Sequence, residues 1–342
     1  MNIEFFMAHV LVIGSACKDI FFPTNEGDIF DTPQDATSQR KIAFELGAKY
    51  HIERRFETLG GCAVNVGVGL VKLGHDVCCH APIGHDATGE WIVKNMADLG
   101  VDVSRVVHES KEQSDLSAIV VDKKSGERTI FSSHGASRTF SFDAGATHGA
   151  DWLFIGDLSG KWKENLEEIG NCAKRDDIKI AFNPRQQMIH EDARFVKDML
   201  GISDVGILNK DEALEIAMRC GRANVDFEIE DEISILRFLQ EEGAEILVIT
   251  DGVRGAWASD GISFLHAEAL CHDEVIDTTG AGDAFASGFL GAIIAGLDIS
   301  KALSWGIVNS SESLRYYGGQ EGLLNSAEIV EKSSKVRIKK LK

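Results

Sequence analysis

Short runs of uninterrupted apolar residues recur along this chain, each followed by a stretch with helical spacing. They are HVLVIG (9–14), DVCCHAPIG (76–84), DWLFIGD (151–157), IKIAFNP (178–184), DVGILN (204–209) and EILVIT (245–250). Continuous rather than alternating apolarity marks strands covered on both faces, as in a parallel sheet. The stretches 61–74, 88–99, 161–175 and 231–242 carry the helical spacing. The pattern predicts an α/β fold, a mostly parallel sheet between layers of crossover helices. With 342 residues, the chain has room for two domains of roughly 150 residues, or for one large α/β unit with an appendage.

Two segments break the rhythm. Between Asp19 and Gly60 lies a polar stretch with scattered aromatics, among them Phe21, Phe22, Phe30, Phe44 and Tyr50. SAIVVDKKSGERTIFSS (117–133) reads as two strands around a Lys-Ser-Gly turn. Together these predict a small β-sheet outside the main layer, a lid built from 19–60 and 111–136. The α/β core then comprises 1–18, 61–110 and 137–342. A later pair, GAWASDGISFLHA (255–267), reads as a hairpin whose Asp260-Gly261 suits a type I′ turn. The basic tail KSSKVRIKKLK reads as a solvated terminus or an edge strand.

Charge narrows the partners. A net charge of −19 argues against nucleic acid, whose binding needs clustered Lys and Arg to release counterions. A small anion remains open to the chain, because backbone amides bind one locally. Seven cysteines without a CxxC, and eleven histidines without HExxH, point away from disulfides and structural zinc. The longest uncharged runs, Ala284 to Leu297 among them, are too short to span a membrane. The N-terminus carries no basic n-region. These features read as a reduced, cytoplasmic protein.

The chemistry concentrates in DTTGAGDAFASGF (277–289). No GxxxxGK[ST] is present, and Phe285 stands where a dinucleotide fold wants its third small residue. The turn instead sets Gly280, Ala281 and Gly282 at the start of an apolar helix, where their amides and the helix dipole favour an anion. Asp283, in the first turn, either complements that dipole or accepts a proton from a group beside the hole. Elsewhere, Asn209 and Glu212 have the spacing of a capping box. Asp86 reads as an N-cap, and Asn65 as either a helix cap or a polar contact. Asn183 sits at the carboxyl end of a strand, where open sheets bind ligands. Arg185 follows it and could pair with an anion or lie on the surface. His134 ends the 117–133 hairpin, where a closing lid or solvent would meet it.

These residues carry a resemblance. The 277–289 stretch, LGGCAVNVGVGLVKLG (59–74), PIGHDATGEW (82–91) and NKDE (209–212) occur in the order found in the ribokinase (PfkB) family of carbohydrate kinases. The likeness runs from about residue 9 to 324. It implies a ribokinase-like fold with Asp283 as catalytic base beside the hole of Gly280, Ala281 and Gly282. It implies acceptor contacts from Asp19, read as the end of the first strand in GSACKDIFF, and from Gly60, Gly61 and Asn65, which Asn183 could join. It places Asn209 and Glu212 in the Mg²⁺–phosphate water network. Thr250, Gly252, Gly255 and Asn309 fall at nucleotide positions. Asp277 and Thr279 fall where the family holds a monovalent cation such as K⁺. In one respect the chain departs from the ribokinases proper: Cys62 stands where they carry a Lys after the two glycines.

The resemblance therefore implies an ATP- and Mg²⁺-dependent kinase of a small polyhydroxy acceptor, a sugar or sugar acid. A closing lid would exclude water, and related lids form a dimer contact. A nucleoside kinase of the same family and a non-catalytic sugar or nucleotide sensor on this fold are the alternatives. Adding acceptor panels to an ATP assay separates them.

Overall fold

A computed structural model describes residues 7–31, 40–221, 231–241, 243–270 and 275–341. Residues 32–39 of the polar insert and Cys271 thus lie outside the described residues. The chain opens with β1 (His9–Ile13), β2 (Cys17–Thr24), a hairpin β3 (Asp28–Asp31) and β4 (Arg40–Ala43), then β5 (Phe56–Gly60). Helix α1 (Cys62–Lys72), β6 (Asp76–His80), β7 (Pro82–Gly84) and α2 (Ala87–Asp98) follow. Next come β8 (Val107–Glu109), β9 (Asp115–Asp122), β10 (Arg128–Ser133) and the single turn α3 (Ala136–Thr139).

The second half begins β11 (Trp152–Ile155), α4 (Trp162–Asp176), β12 (Lys179–Phe182), α5 (Gln186–Gly201), β13 (Val205–Asn209) and α6 (Lys210–Cys220). After α7 (Glu232–Gln240) and β14 (Ile246–Thr250) comes the hairpin β15 (Ala256–Ser259) and β16 (Phe264–Ala267). Helices α8 (Ala281–Ile294), α9 (Ile299–Ser313) and α10 (Ser326–Ser333), then β17 (Ile338–Leu341), complete it.

Nine strands form the main sheet in the order β17-β16-β15-β14-β13-β12-β11-β1-β6. From β14 to β6 every pairing is parallel, and the three pairings from β14 to β17 are antiparallel. Residues on β1 alternate between two cores. Val10 and Val12 pack with α1, α8 and α9, while Leu11 and Ile13 pack with α4 and α5. Burial on both faces is what the uninterrupted apolar runs encode.

Local chemistry revises two details of the sequence reading. The run 76–84 is two strands, because β7 leaves the main sheet and pairs with β8. The 255–267 hairpin closes through four residues instead of a two-residue type I′ turn. Only Gly261 there takes a positive φ, 79°, and the Asp260 carboxylate accepts from the amides of Ile262 and Ser263, an Asx turn. The basic tail does pair, as edge strand β17 against β16.

A separate four-stranded sheet has the order β10-β9-β2-β5. Its own core is small: Phe21, Ile119 and Val121, with Phe56 and Tyr317 packed on them. Tyr317 comes from the segment after α9. It stacks on Phe56 at 4.6 Å and meets Phe21 at 5.7 Å, fastening the small sheet to the core. The remaining insert aromatics are less committed: Phe44 and Tyr50 meet edge to face, and Phe30 is exposed.

Candidate active site

The carboxyl ends of the parallel strands, the small sheet and the start of α8 face one another. Gly280, the N-cap of α8, has φ 77°, a left-handed conformation that only glycine adopts without strain. A side chain there would also press on Gly319, whose Cα lies 2.5 Å from an added Cβ. The Ala281 amide turns back to the Thr278 carbonyl at 3.4 Å. The amides of Gly282 and Asp283 belong to the first helical turn, where no intrahelical carbonyl accepts them. Gly282 is open to solvent on its side-chain side, so access, not steric need, describes its position. This end of α8 is a helix N-terminus free to receive an anion.

Asp283 stands one residue inside that turn. The Nδ2 of Asn65, from α1, donates to its Oδ2 at 2.7 Å. Gln320 Nε2 in turn donates to Asn65 Oδ1, which fixes which way the Asn65 amide points. Withdrawal from water pushes the Asp283 carboxyl up to about 6. The bonds from Asn65 and Cys62 pull it down, and the charges of Asp157 and Asp19 push it further up. A carboxylate so placed is a competent proton acceptor near neutral pH.

Asp19 does not end the first strand, as the sequence reading has it. It lies inside β2 of the small sheet and is 6% exposed. The Cys17 thiol donates to its Oδ1 at 3.3 Å. Burial raises its carboxyl, and bonds from Ser117 and Cys17 oppose the rise. Gly60, beside it on β5, has no room for a Cβ, which would overlap the Asp19 carboxylate. Gly61 caps α1 at φ 94° and would strike the Ser15 carbonyl if substituted. The glycine pair therefore allows Asp19 and the Ser15 loop to close on the start of α1. Asn183 is already engaged: its Nδ2 donates to the Ile207 carbonyl at 2.8 Å, and the Cys62 thiol reaches its Oδ1 at 3.7 Å.

On the nucleotide side, Asn209 and Glu212 form the expected reciprocal pair, each side-chain oxygen accepting the other's backbone N–H at 2.9 Å. Burial pushes the Glu212 carboxyl up to about 7. Thr250 ends β14, with its hydroxyl toward the Leu208 carbonyl at 3.5 Å. Gly252 (φ 44°) leaves open space in the following turn, whereas at Gly255 (φ 92°) a Cβ would overlap the Ala267 carbonyl. Asn309 belongs elsewhere. It is fully buried, donating to the Ala284 carbonyl and the Ser287 hydroxyl and accepting from the Leu324 amide. It braces α8 against α9 and presents nothing to a nucleoside. Asp277 accepts from the Thr279 amide and hydroxyl on one oxygen and from the Gly318 amide on the other. Both oxygens thus shape the turn that precedes the hole.

Three contributors escaped the sequence reading. Asp157 follows β11 and accepts from the Ser15 hydroxyl at 2.6 Å. Its carboxyl is raised by burial and adds to the negative potential at Asp283. The position after a parallel strand was the available signal. Gln320 and Gly319 approach Asn65 from a Gly-Gly-Gln segment that spacing alone does not tie to α1.

Among the described residues, no helix is long and apolar enough to cross a membrane, and no group of three or more His, Cys, Asp or Glu is arranged to hold a metal ion. A sequence profile described as the pfkB family carbohydrate kinase matches residues 35–326. The chain is 25% identical over 290 residues to an ATP-dependent 6-phosphofructokinase of Thermoanaerobacterium thermosaccharolyticum, covering 81% of this chain and 85% of that one. It is 25% identical over 334 residues to a nucleoside kinase of Methanocaldococcus jannaschii, covering 97% and 99%. A crystal structure of a putative ribokinase from Agrobacterium tumefaciens superposes with a TM-score of 0.77 at 17% identity, over 96% of this chain and 98% of that one.

Proposed function

The chain belongs to the pfkB family of carbohydrate kinases, phosphotransferases that act on an alcohol group, and from that premise we propose that it transfers the γ-phosphate of ATP to a hydroxyl of a small sugar or sugar acid. The observation that carries this reading is Asp283, held by Asn65 beside the open amides of α8, with its carboxyl raised to about 6. The acceptor hydroxyl oxygen attacks the γ-phosphorus, the bond to the ADP oxygen breaks, and the hydroxyl proton passes to Asp283. Negative charge on the transferring group lies against the amides of Gly282 and Asp283 and the positive end of α8. Asp19 accepts from acceptor hydroxyls, with Gly60 and Gly61 clearing the approach. Asn65 serves as a positioning residue whose amide orients the base.

Glu212 fits a role toward Mg²⁺. A buried carboxyl raised to about 7 is costly to ionise until a cation comes near, and one of its oxygens is left over from the capping pair. Mg²⁺ bound with ATP supplies charge neutralisation at the phosphates; Asn209 and Glu212 would hold it through water. Thr250, Gly252 and Gly255 shape the nucleotide side. Asp277 holds the turn itself, so any monovalent cation would rely on neighbouring carbonyls and the Thr279 hydroxyl. The six described cysteines are free thiols, in keeping with a cytoplasmic home.

We assign closure of the small sheet over the acceptor, and self-association through its open face, to the same reading. Phe131 on β10, opposite Ala118 and so on the face away from the Phe21–Ile119 core, is exposed there. ADP release from ATP-Mg²⁺, measured with sugar, sugar-acid and nucleoside panels, tests the assignment. Turnover of nucleosides with no sugar or sugar acid overturns the acceptor class. Failure of every acceptor to stimulate ADP release overturns the kinase.

A further inference from the structure

Next to the acceptor side lies a cavity of about 130 Å³, bounded by His134, Arg138, Ser159, Trp162, Arg185 and Glu191 among others. Its walls come from both parts of the molecule. His134 and Arg138 follow β10 of the small sheet, and Ser159 and Arg185 follow β11 and β12 of the main sheet.

Arg185 donates from Nη1 to the Ser159 hydroxyl at 3.0 Å and lies 3.4 Å from His134 Nε2 through Nη2. Neither partner is a carboxylate, and a guanidinium carries five N–H donors, so its charge is not compensated by them. Among the described residues, no carboxylate forms an ion pair with Arg185 or with Arg138. The nearby carboxylates are committed to other donors. Asp115 accepts from the amides of Gly135 and Ser137 and faces His134 Nδ1 at 3.1 Å. Glu191 accepts from Trp162 Nε1 at 2.6 Å and Gln187 Nε2 at 3.0 Å. Asp157 accepts from Ser15 and feels the charges of Arg185 and His134 on one side, while raising Asp283 on the other. Arg185 stands two residues after Asn183, whose side chain meets Cys62 at the start of α1. His134 meets Asp115, which lies opposite Cys17 on β2, two residues before Asp19. The cavity thus borders the acceptor side.

In a chain of net charge −19, two arginines at one small cavity that no carboxylate among the described residues pairs with mark a place for an incoming anion. Planar guanidinium groups match carboxylate and phosphate oxygens in pairs. We propose that the acceptor carries an oxyanion, a carboxylate or a phosphate, at the end remote from the hydroxyl that Asp283 deprotonates. Arg185 receives it, with Arg138 and His134 closing around it from the small sheet. This deepens the kinase reading of the Asp283 site and rests on it. It also gives the small sheet a reason to settle only when the right acceptor is present, since two of the three groups ride on it.

The test is kcat/KM for matched anionic and neutral acceptors, D-gluconate against D-glucose and D-fructose 6-phosphate against D-fructose, in wild type, Arg185→Gln, Arg185→Lys and Arg138→Gln. The wild type is expected to favour the anionic member of at least one pair by about tenfold or more, the scale of a charge-assisted pair. Which pair responds separates carboxylate from phosphate. Arg185→Gln should bring that ratio toward one, Arg185→Lys should restore part of it, and the exposed Arg138→Gln should lower it without threatening the fold. A wild type that uses the neutral members at least as well, or a ratio untouched by all three substitutions, overturns the proposal. If no acceptor in either set stimulates ADP release, the wider acceptor panels decide the kinase reading. Calorimetry with inorganic phosphate then decides the cavity: binding at millimolar concentration that Arg185→Gln abolishes upholds an oxyanion site, and no binding to wild type removes it.

Discussion

Asn65 and Asp283, 218 residues apart in sequence, meet through a 2.7 Å hydrogen bond from the α1 amide to the α8 carboxylate. Because the Asn65 bond lowers the Asp283 carboxyl against the rise caused by burial, removing it has a direction. Asn65→Ala should lower kcat by roughly 10–100-fold, part of the range for general-base catalysis, and shift the acid limb of the pH–rate profile to higher pH. A plain loss of folding would leave the limb of the surviving activity where it was.

Replacing the base itself gives a larger effect. Asp283→Asn should reduce kcat by about 10²–10⁴, the scale of general-base removal, with ATP affinity held within several-fold. Single-turnover kinetics and calorimetry with a non-hydrolysable ATP analogue check the two halves. A kcat near wild type would overturn the assignment.

The wild-type pH profile follows from the same carboxyl. With Asp283 at about 6, kcat/KM should fall tenfold per pH unit below about pH 6 and level off above it. Stability runs the other way. The folded value lies above the unfolded one, near 4, so the folded state binds the proton more tightly between them. This contribution to stability is complete below the unfolded value and lost as pH rises through about 6. Asp283→Asn should therefore be more stable than wild type at pH 8, by on the order of 1–2 kcal/mol once partial exposure is discounted, and indistinguishable at pH 4. Denaturant titrations at the two pH values read this out.

Gly60→Ala tests the acceptor half. A Cβ at 60 overlaps the Asp19 carboxylate, so the side chain must rotate away from where acceptor hydroxyls arrive. Acceptor KM should rise by about tenfold or more, the weight of a hydrogen bond to a charged group, with nucleotide affinity unchanged. Weakened ATP binding with normal acceptor KM would show the two half-sites to be misassigned.

The exposed face of the small sheet supplies a fifth expectation. Phe131 is 63% exposed on β10, on the face away from the Phe21–Ile119 core. If copies associate there, Phe131→Glu should move sedimentation from dimer to monomer while the melting transition of the core stays in place. A wild type that is monomeric at all concentrations removes this interface.

How much of this was legible in the sequence depends on how local the signal is. The turn at 280–283 needs nothing beyond neighbours: a positive φ, first-turn amides and an apolar helix are written within one short segment. The Asn209–Glu212 pair is equally local, and the structure forms it with both bonds. The Asn65–Asp283 contact and the Gln320 bond behind it depend on how α1 packs on α8, which no spacing encodes. Asn309 shows the opposite hazard. A polar residue on a helix beside the nucleotide motifs invites a ligand role, yet α8 takes both donations of its amide and the Leu324 N–H engages its oxygen. From the sequence Asp19 reads as the end of the first strand. The chain instead starts a second strand at Cys17, and pairing with β9 and β5 carries it out of the main layer.

Tyr317 stacks on Phe56 of the small sheet; one residue on, the Gly318 amide holds Asp277 before the glycine turn. Two residues further, Gln320 steers Asn65. The peg that seats the small sheet, the tether of the phosphate turn and the rudder of the base are thus consecutive links of one four-residue strip. The strip works as an interlock. A displacement of Phe56 from Tyr317 would reach both the glycine turn and Asp283 by way of covalent neighbours. On the proposed kinase reading, idle discharge of a phosphoryl group to water would be disfavoured by construction, because the parts that would perform it would be trued only while the small sheet is home.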